Sequence, residues 1–441
     1  MNLTRQVIKI KSRRGLQPNL EIASNSGKTV PPSPKLDQRH DFTAKLRQES
    51  VLPRVISYVK WQRAVNHALL KGNAPPEMPV DFGPLSMNLD MTTACNYACG
   101  HCIDWDILNS PVKYAHEKLL SSLSQLIERG LRSVILIGGG EPTLYPRFGD
   151  TVRFLKERNI QVAVVSNGSR NEKIREVAHL FTPGDWVRLS LDSAYDQTFQ
   201  AMHQPKQNVS LEEICAGVPG IREKNPGLQI GFSFIVTWRG AESAEKVSVV
   251  PNIDEIVPAA KLAHDSGFSY FSAKPFLRRS PEGGEVMDTG AIEDYRSTIA
   301  RIRIAINEAK KLETPTFNIV ESTNLRLLES DTWRDFTKQP NTCHMQALRQ
   351  VLSPRGLYNC PAHRGVGKAF IAGKDAYADT GSVAKTQEAT TSILRHFNAE
   401  HECREVTCLY KPVNDWIEDA IKSGINPEEL EAVADRGDYF L

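Results

Sequence analysis

The sequence predicts an α/β fold, a partial barrel of six β/α units followed by a small C-terminal α+β extension. Three observations carry that reading. Short apolar segments such as "SVILIGG" and "QVAVVSNGS" alternate with helix-length segments from residue 85 onward, the pattern of parallel βαβ units. Six such units are too many for a small open sheet and two short of an eight-stranded TIM barrel, so a partial (β/α)6 TIM-like barrel is the economical solution. The unusual polar and glycine residues all fall just after strands, the rim on which barrels carry their chemistry.

The elements follow in order. Residues 1–40 are rich in Lys, Arg, Ser, Pro and Asn and predict a flexible N-terminal tail. Residues 41–84 form a lead-in: Leu46, Val51, Ile56, Val59, Trp61 and Leu69 keep a helical period, and Pro75 to Pro84 make a connector. Residues 85–320 hold the barrel. "LSMNLDM" is its first strand, and "AHEKLLSSLSQLIERG" is a helix ending at Gly130, a usual terminating residue. Four more pairs follow: "SVILIGG" with "RFGDTVRFLKERN", "QVAVVSNGS" with "NEKIREVAHLF", "DWVRLSLDS" with "SLEEICAGVPGIREKNPG", and "LQIGFSFIVTW" with "NIDEIVPAAKLAHDSG". "FSYFSAKPF" is the sixth strand. Residues 321–441 form the extension, in which "CHMQALRQVLSPRGLYNC" predicts a hairpin turning at Pro354, Arg355 and Gly356.

Composition narrows the function. A chain of 441 residues with a net charge of +2 is long enough for more than one core and has no long-range field to mark it for nucleic acid or an anionic membrane. Its apolar windows are far shorter than the roughly 20 residues of a membrane span, and "MNLTRQVIKIKSRRGLQP" has no apolar run of signal-peptide type. A cytoplasmic protein is expected. In that compartment clustered cysteines bind metal or do redox chemistry more often than they pair.

Three of the eight cysteines lie in "TTACNYACGHC", at Cys95, Cys99 and Cys102. A disulfide cannot use three thiols, and a closed metal site normally takes four ligands. A zinc site completed by His101 is one solution, although His101 adjoins Cys102 and would have to turn inward with it. The second strand is followed by Gly138, Gly139, Gly140, Glu141 and Pro142; a tight turn alone would use the glycines, and close backbone approach to a ligand is the favoured reading. Ser166 and Asn167 follow the third strand, Ser190 and Asp192 end the fourth, and Arg188 shares a face with Ser190 by alternation. Thr237 closes the fifth strand and Lys274 the sixth, where Lys274 either meets substrate or caps the barrel mouth. Cys215, inside a helical stretch, is expected to be a core thiol.

CxxxCxxC after the first strand and GGGEP after the second resemble the radical S-adenosylmethionine (radical SAM) superfamily over roughly residues 85–320. The resemblance implies that three thiolates hold three irons of a [4Fe–4S] cluster and that SAM chelates the fourth. Reductive cleavage of SAM then gives a 5′-deoxyadenosyl radical that abstracts hydrogen from substrate, with electrons from an external low-potential donor such as flavodoxin or ferredoxin. It further implies that Gly138–Glu141, Ser166, Asn167, Arg188, Ser190 and Asp192 contact SAM. His101 departs from the aromatic residue usual at its position in the family.

Cys343, Cys360, Cys403 and Cys408 occupy the last third. Two separated cysteines followed by a closer pair resemble the twitch domain, a shortened SPASM extension, which implies an auxiliary [4Fe–4S] cluster; zinc, or no metal, are the alternatives. Four thiolates would close every iron, a cluster suited to relay an electron rather than bind substrate. That favours oxidation or dehydrogenation of a small molecule. Radical modification of a peptide or protein side chain is the second reading, and a non-enzymatic metal-binding scaffold the third.

Overall fold

The computed structural model describes residues 40–243, 248–280 and 283–441. The flexible tail expected at residues 1–40 falls outside them except for His40. The described residues hold twelve strands: β1 Ser86–Leu89, β2 Ser133–Leu136, β3 Gln161–Ser166, β4 Trp186–Ser190, β5 Gln229–Val236, β6 Tyr270–Pro275, β7 Arg278–Arg279, β8 Glu285–Val286, β9 Asn318–Glu321, β10 Arg349–Ser353, β11 Gly356–Tyr358 and β12 Phe370–Ala372. β7 and β8 form a separate two-stranded ribbon, and the other ten make one sheet in the order β12-β11-β10-β1-β2-β3-β4-β5-β6-β9.

The six expected barrel strands run in parallel from β1 to β6, with in-register partners such as Ser86 and Ser133 or Ser190 and Ser233. This is the partial barrel of the sequence reading, with both flanks extended. β9 adds in parallel to β6, and β10, the first arm of the C-terminal hairpin, adds in parallel to β1. The hairpin turns at Pro354–Arg355 and continues antiparallel through β11 to β12.

Local chemistry explains the elements. In the helix His116–Glu128, Leu119, Leu123 and Leu126 recur on one face and are buried, and Gly130 follows at φ 89°. The stretch read as one helix after the fourth strand is two, Leu211–Ala216 and Val218–Lys224. Ser210 and Glu213 close the first with a reciprocal capping pair, and Pro219, which lacks an N–H, opens the second. A helix the sequence reading passed over, Asp196–His203, lies between β4 and that pair.

The lead-in helix Leu52–Leu70 packs its Val55 and Val59 against Ile417 and Ile421 of the helix Lys411–Lys422, a second core separate from the barrel's. The segment Gly437–Leu441 closes the barrel's lower end. The Tyr439 N–H donates to Gln161 Oε1 (2.9 Å), Ser133 Oγ donates to the Tyr439 carbonyl (2.7 Å), and the Leu441 N–H donates to Ser86 Oγ (3.3 Å). All three acceptor or donor side chains stand at the starts of strands. Phe440 packs between Ile135, Ala163 and the Trp186 ring, its centroid 5.5 Å from that ring. Above this apolar floor the inward row changes character. Arg188 and Ser190 on β4, Ser233 and Ile235 on β5, and Ser272 and Lys274 on β6 share one face by register and alternation.

Among the described residues no helix is long and apolar enough to cross a membrane.

Candidate active site

The loop carrying Cys95, Cys99 and Cys102 leaves β1 and is pinned from three sides. From below, the Ala98 N–H reaches the His203 carbonyl (3.2 Å) and the Gly100 N–H that of Met202 (3.1 Å), at the end of the helix Asp196–His203. Tyr97 is buried against Phe199 and His203. From the β2 side, the Glu141 N–H donates to the Ala94 carbonyl at 2.9 Å. From the β3 side, Asn96 Oδ1 accepts from Asn167 Nδ2 (2.9 Å), and Asn96 Nδ2 donates to Ser169 Oγ (2.9 Å).

Glu141 ties these loops together. Its Oε1 accepts from Thr143 N–H (3.0 Å), Thr143 Oγ1 (2.6 Å) and Ser166 Oγ (2.8 Å), and its Oε2 from the Asn167 N–H (2.7 Å). Both carboxylate oxygens and the Ser166 hydroxyl are thus used within the protein. Burial pushes the Glu141 carboxyl up, and the four hydrogen bonds oppose that rise.

The glycine turn is required by the chain's own packing. Gly138 and Gly139 have φ of 69° and 64°. A Cβ on Gly138 would lie 2.5 Å from Arg364 Nη1, one on Gly139 3.0 Å from Asp90 Oδ2, and one on Gly140 2.4 Å from the Ala94 carbonyl oxygen.

Those neighbours belong to a buried ionic network that no sequence motif signals. Arg364 places Nη1 2.7 Å from both Asp104 oxygens and Nε 3.0 Å from Asp90 Oδ2. The Gly139 N–H donates to Asp104 Oδ2 (3.2 Å). Arg279 Nη2 donates to the Arg364 carbonyl (2.5 Å) and lies 3.3 Å from Asp106. The segment after Cys102, the glycine turn and the segment after Cys360 are therefore clamped by one set of charges.

His101 does turn inward, contrary to the sequence expectation. It is buried, with Nε2 3.1 Å from Asp192 Oδ2. Asp192 sits at φ 53°, accepts from the Ile235 N–H (2.7 Å), and lies 3.4 Å from His203 Nε2. Its carboxyl is held low: burial alone would raise it, and the hydrogen bond from His101 with the nearby His203 prevails. The His203 Nε2–H donates to the Leu191 carbonyl (3.0 Å), leaving Nδ1 to face Cys99 Sγ at 3.3 Å. Asp192 is thus committed to the underside of the cysteine loop. Cys215 is a buried core thiol, as expected.

The three loop thiols fit a cluster by their own chemistry. Burial and then the neighbouring Cys102 and Cys95 push Cys99 well up, burial and then Asp104 push Cys102 to about 12, and burial raises Cys95. Three crowded thiols that resist ionisation alone need a cationic centre to become ligands.

The C-terminal four also converge. Cys343, Cys360, Cys403 and Cys408 line one pocket together with Glu285, Arg349 and Asn324. Cys360 is pushed up to about 11 by burial and then by Cys343, and Cys403 and Cys408 rise by burial and by their neighbouring thiols. Asn414 Nδ2 lies 3.5 Å from Cys343 Sγ, and His363 Nε2 3.4 Å from Cys403 Sγ. Asn324, Asn359, His363 and Thr407 also line this pocket, and their Oδ1, Oδ1, Nδ1 and Oγ1 atoms are without hydrogen-bond partners among the described residues.

Residues 89–240 match the sequence model of the radical SAM superfamily. An S-adenosylmethionine-dependent nucleotide dehydratase of Psychrobacter lutiphocae is 26% identical over 248 residues, 48% of this chain and 78% of that protein. The tungsten-containing aldehyde ferredoxin oxidoreductase cofactor-modifying protein of Pyrococcus furiosus is 30% identical over 46% of this chain and 55% of its own. The mycofactocin maturase of Mycobacterium tuberculosis is 32% identical over 25% of this chain and 28% of its own. The alignments thus span less than two thirds of several of these relatives. Among solved structures, Streptococcus suis SuiB bound to S-adenosylmethionine superposes with a TM-score of 0.52 at 15% identity, over 80% of this chain and 77% of that one. With the loop thiols and the parallel sheet already in place, the match assigns residues 89–240 as the radical SAM domain of an enzyme that uses a [4Fe–4S] cluster and SAM.

Proposed function

We propose that this protein reductively cleaves SAM and oxidises a small molecule by hydrogen abstraction, with a twitch/SPASM-like extension holding an auxiliary cluster. The convergence of Cys343, Cys360, Cys403 and Cys408 on one pocket carries the reading. Cys95, Cys99 and Cys102 would hold the SAM-binding [4Fe–4S] cluster, and the C-terminal four the second. When bound, the first group with SAM supplies a hydrogen-abstracting 5′-deoxyadenosyl radical, and the second an electron acceptor.

The chain's own residues do the rest. Glu141 holds the β2 and β3 loops at fixed separation through two hydrogen bonds, from Ser166 Oγ and the Asn167 N–H, so the rim around the cysteine loop is set before cofactor arrives. Arg364, Asp104 and Asp90 lock the extension to that rim. Glu285 shares the C-terminal pocket, and burial raises its carboxyl, which suits it to take and hold the proton that an oxidised substrate must release. Four thiols leave no iron open for substrate, so substrate binds beside the pocket rather than in it. A cytoplasmic location, with flavodoxin or ferredoxin as electron donor, accords with eight unpaired thiols.

Radical modification of a peptide side chain is the second reading. It is supported by the likeness to SuiB, solved also with its precursor peptide at a TM-score of 0.51, and to a mycofactocin maturase. The deciding experiment is anaerobic reconstitution, iron and sulfide counts, then incubation with SAM and dithionite. About eight irons and formation of 5′-deoxyadenosine are expected; no 5′-deoxyadenosine would remove the reading.

A further inference from the structure

The barrel's inward row holds a cation that the assigned cofactors leave unused. Lys274 stands at the end of β6, on the face that carries Ser272 and opposite Ile235 of β5. Among the described residues no hydrogen bond or ion pair reaches its ammonium, although it lies deep in the barrel. It lies near enough to Arg188, Asp192 and Glu285 to sense their charges. Asp192 lies beneath the three-cysteine loop and Glu285 lines the four-cysteine pocket. Lys274 is therefore on the wall of the space between the two cysteine regions, where a substrate must sit to meet both.

Further cations stand close to Lys274. Arg188 and Arg326 lie near enough, with Lys274 and Lys45, to act on His40, whose imidazole is pushed down to about 3 by burial and then by these cations. Lys45 is already engaged, 3.0 Å from Asp438 and 2.6 Å from the Phe440 carbonyl. His40, held to Thr323 Oγ1 at 3.2 Å, stays neutral and adds no further positive charge. An ammonium shielded from bulk water and without a protein partner is under-solvated, and an arriving anion would relieve that. Ser190, Ser233 and Ser272 add hydroxyls on the same inward face.

We propose that the substrate carries an anionic group, phosphate or carboxylate, that Lys274 binds from the barrel wall, with Arg188 and Arg326 supplying the surrounding positive field. The inference rests on the radical SAM reading of the site and narrows its substrate class. Burial lowers the Lys274 ammonium's pKa well below its usual value in the ligand-free protein, and a bound anion would raise it again.

The test uses the full chain, reconstituted and saturated with SAM, titrated calorimetrically with inorganic pyrophosphate and, separately, with succinate. At least one of the two is expected to bind, and which one binds identifies the anion's chemistry. Lys274→Met should weaken that affinity about ten- to a hundredfold, the worth of a hydrogen bond to a charged group. Lys274→Arg should restore most of it. Iron content and SAM affinity should match wild type in both variants. Binding of neither anion, or equal binding by the Met variant, overturns the proposal. So does a Met variant that loses SAM affinity instead, because Lys274 would then be a cofactor contact. A wild-type protein that binds the anion through Lys274 yet makes no 5′-deoxyadenosine would refute the radical SAM reading alone.

Discussion

The two cysteine regions reach similar chemistry by opposite routes. Cys95, Cys99 and Cys102 come from one loop of a single βα connection, and their spacing is local. Cys343 precedes a short helix, Cys360 follows β11, Cys403 ends the helix Ala399–Glu402, and Cys408 precedes the helix Lys411–Lys422. The first set is arranged by chain connectivity and the second by tertiary packing. Losing one ligand should therefore act locally in the first region, while the second depends on elements that also build the hydrophobic core around Ile417 and Leu348.

The largest effect is expected from Cys99→Ala, which should abolish SAM cleavage and leave about four of eight irons, those of the second region. Wild-type 5′-deoxyadenosine formation in that variant would break the comparison at its first term. Next, replacing Cys343 and Cys360 together with Ala should also cut iron to about four, with reductive SAM cleavage persisting and product formation falling. A double variant with unchanged iron would leave the four-thiol pocket without a cluster. One that loses iron yet turns over normally would refute only the acceptor role.

The clamp between the regions gives the third prediction. Asp104→Asn removes one charge from a buried network and should destabilise the apoprotein by about 3–5 kcal/mol, read as a lower urea midpoint. An unchanged midpoint would mean that the two regions are held together by other contacts.

The smallest effect lies at the edge of the second region. The hydrogen bond from His344 (2.7 Å) holds the Glu418 carboxyl at about 2, against its burial. A depressed carboxyl stabilises the fold above its unfolded pKa, and that stability is lost as pH falls through its folded value. Glu418→Gln should therefore cost about 1 kcal/mol at pH 7, after allowance for solvent screening of a half-buried pair. The difference from wild type should shrink between about pH 5 and pH 2. A pH-independent difference would sever the link to this carboxylate.

Legibility in the sequence followed the same divide. Periodicity located β1 to β6 and most of their helices, since a buried parallel strand writes its apolar run directly into the chain. β9 was passed over, a four-residue strand whose place depends on β6 rather than on its own pattern. The cysteine loop and glycine turn were readable from spacing. The hydrogen-bond partners of Glu141, Ser166 and Asp192 within the protein were not, because they are brought near only by folding. The atoms that a Cβ on Gly139 would meet belong to Asp90, a neighbour brought there by folding. Arg364 and His203 carried no signal at all, each being a lone polar residue whose partner lies far along the chain.

The parallel pairing of β1 with β10 has a consequence for biosynthesis. Arg349 on β10 donates to Asn88 Oδ1 on β1 at 2.8 Å across 261 positions of sequence. At about 5–20 residues per second, a ribosome needs roughly 13–50 s to make the intervening chain. For that interval one margin of the strand that launches the three-cysteine loop has no neighbour, and Arg364 has not yet been made to clamp it. The loop thus emerges early and is fastened late. Iron loaded at the first region before synthesis ends would enter an unfastened site, which makes delivery after chain completion the productive order of assembly.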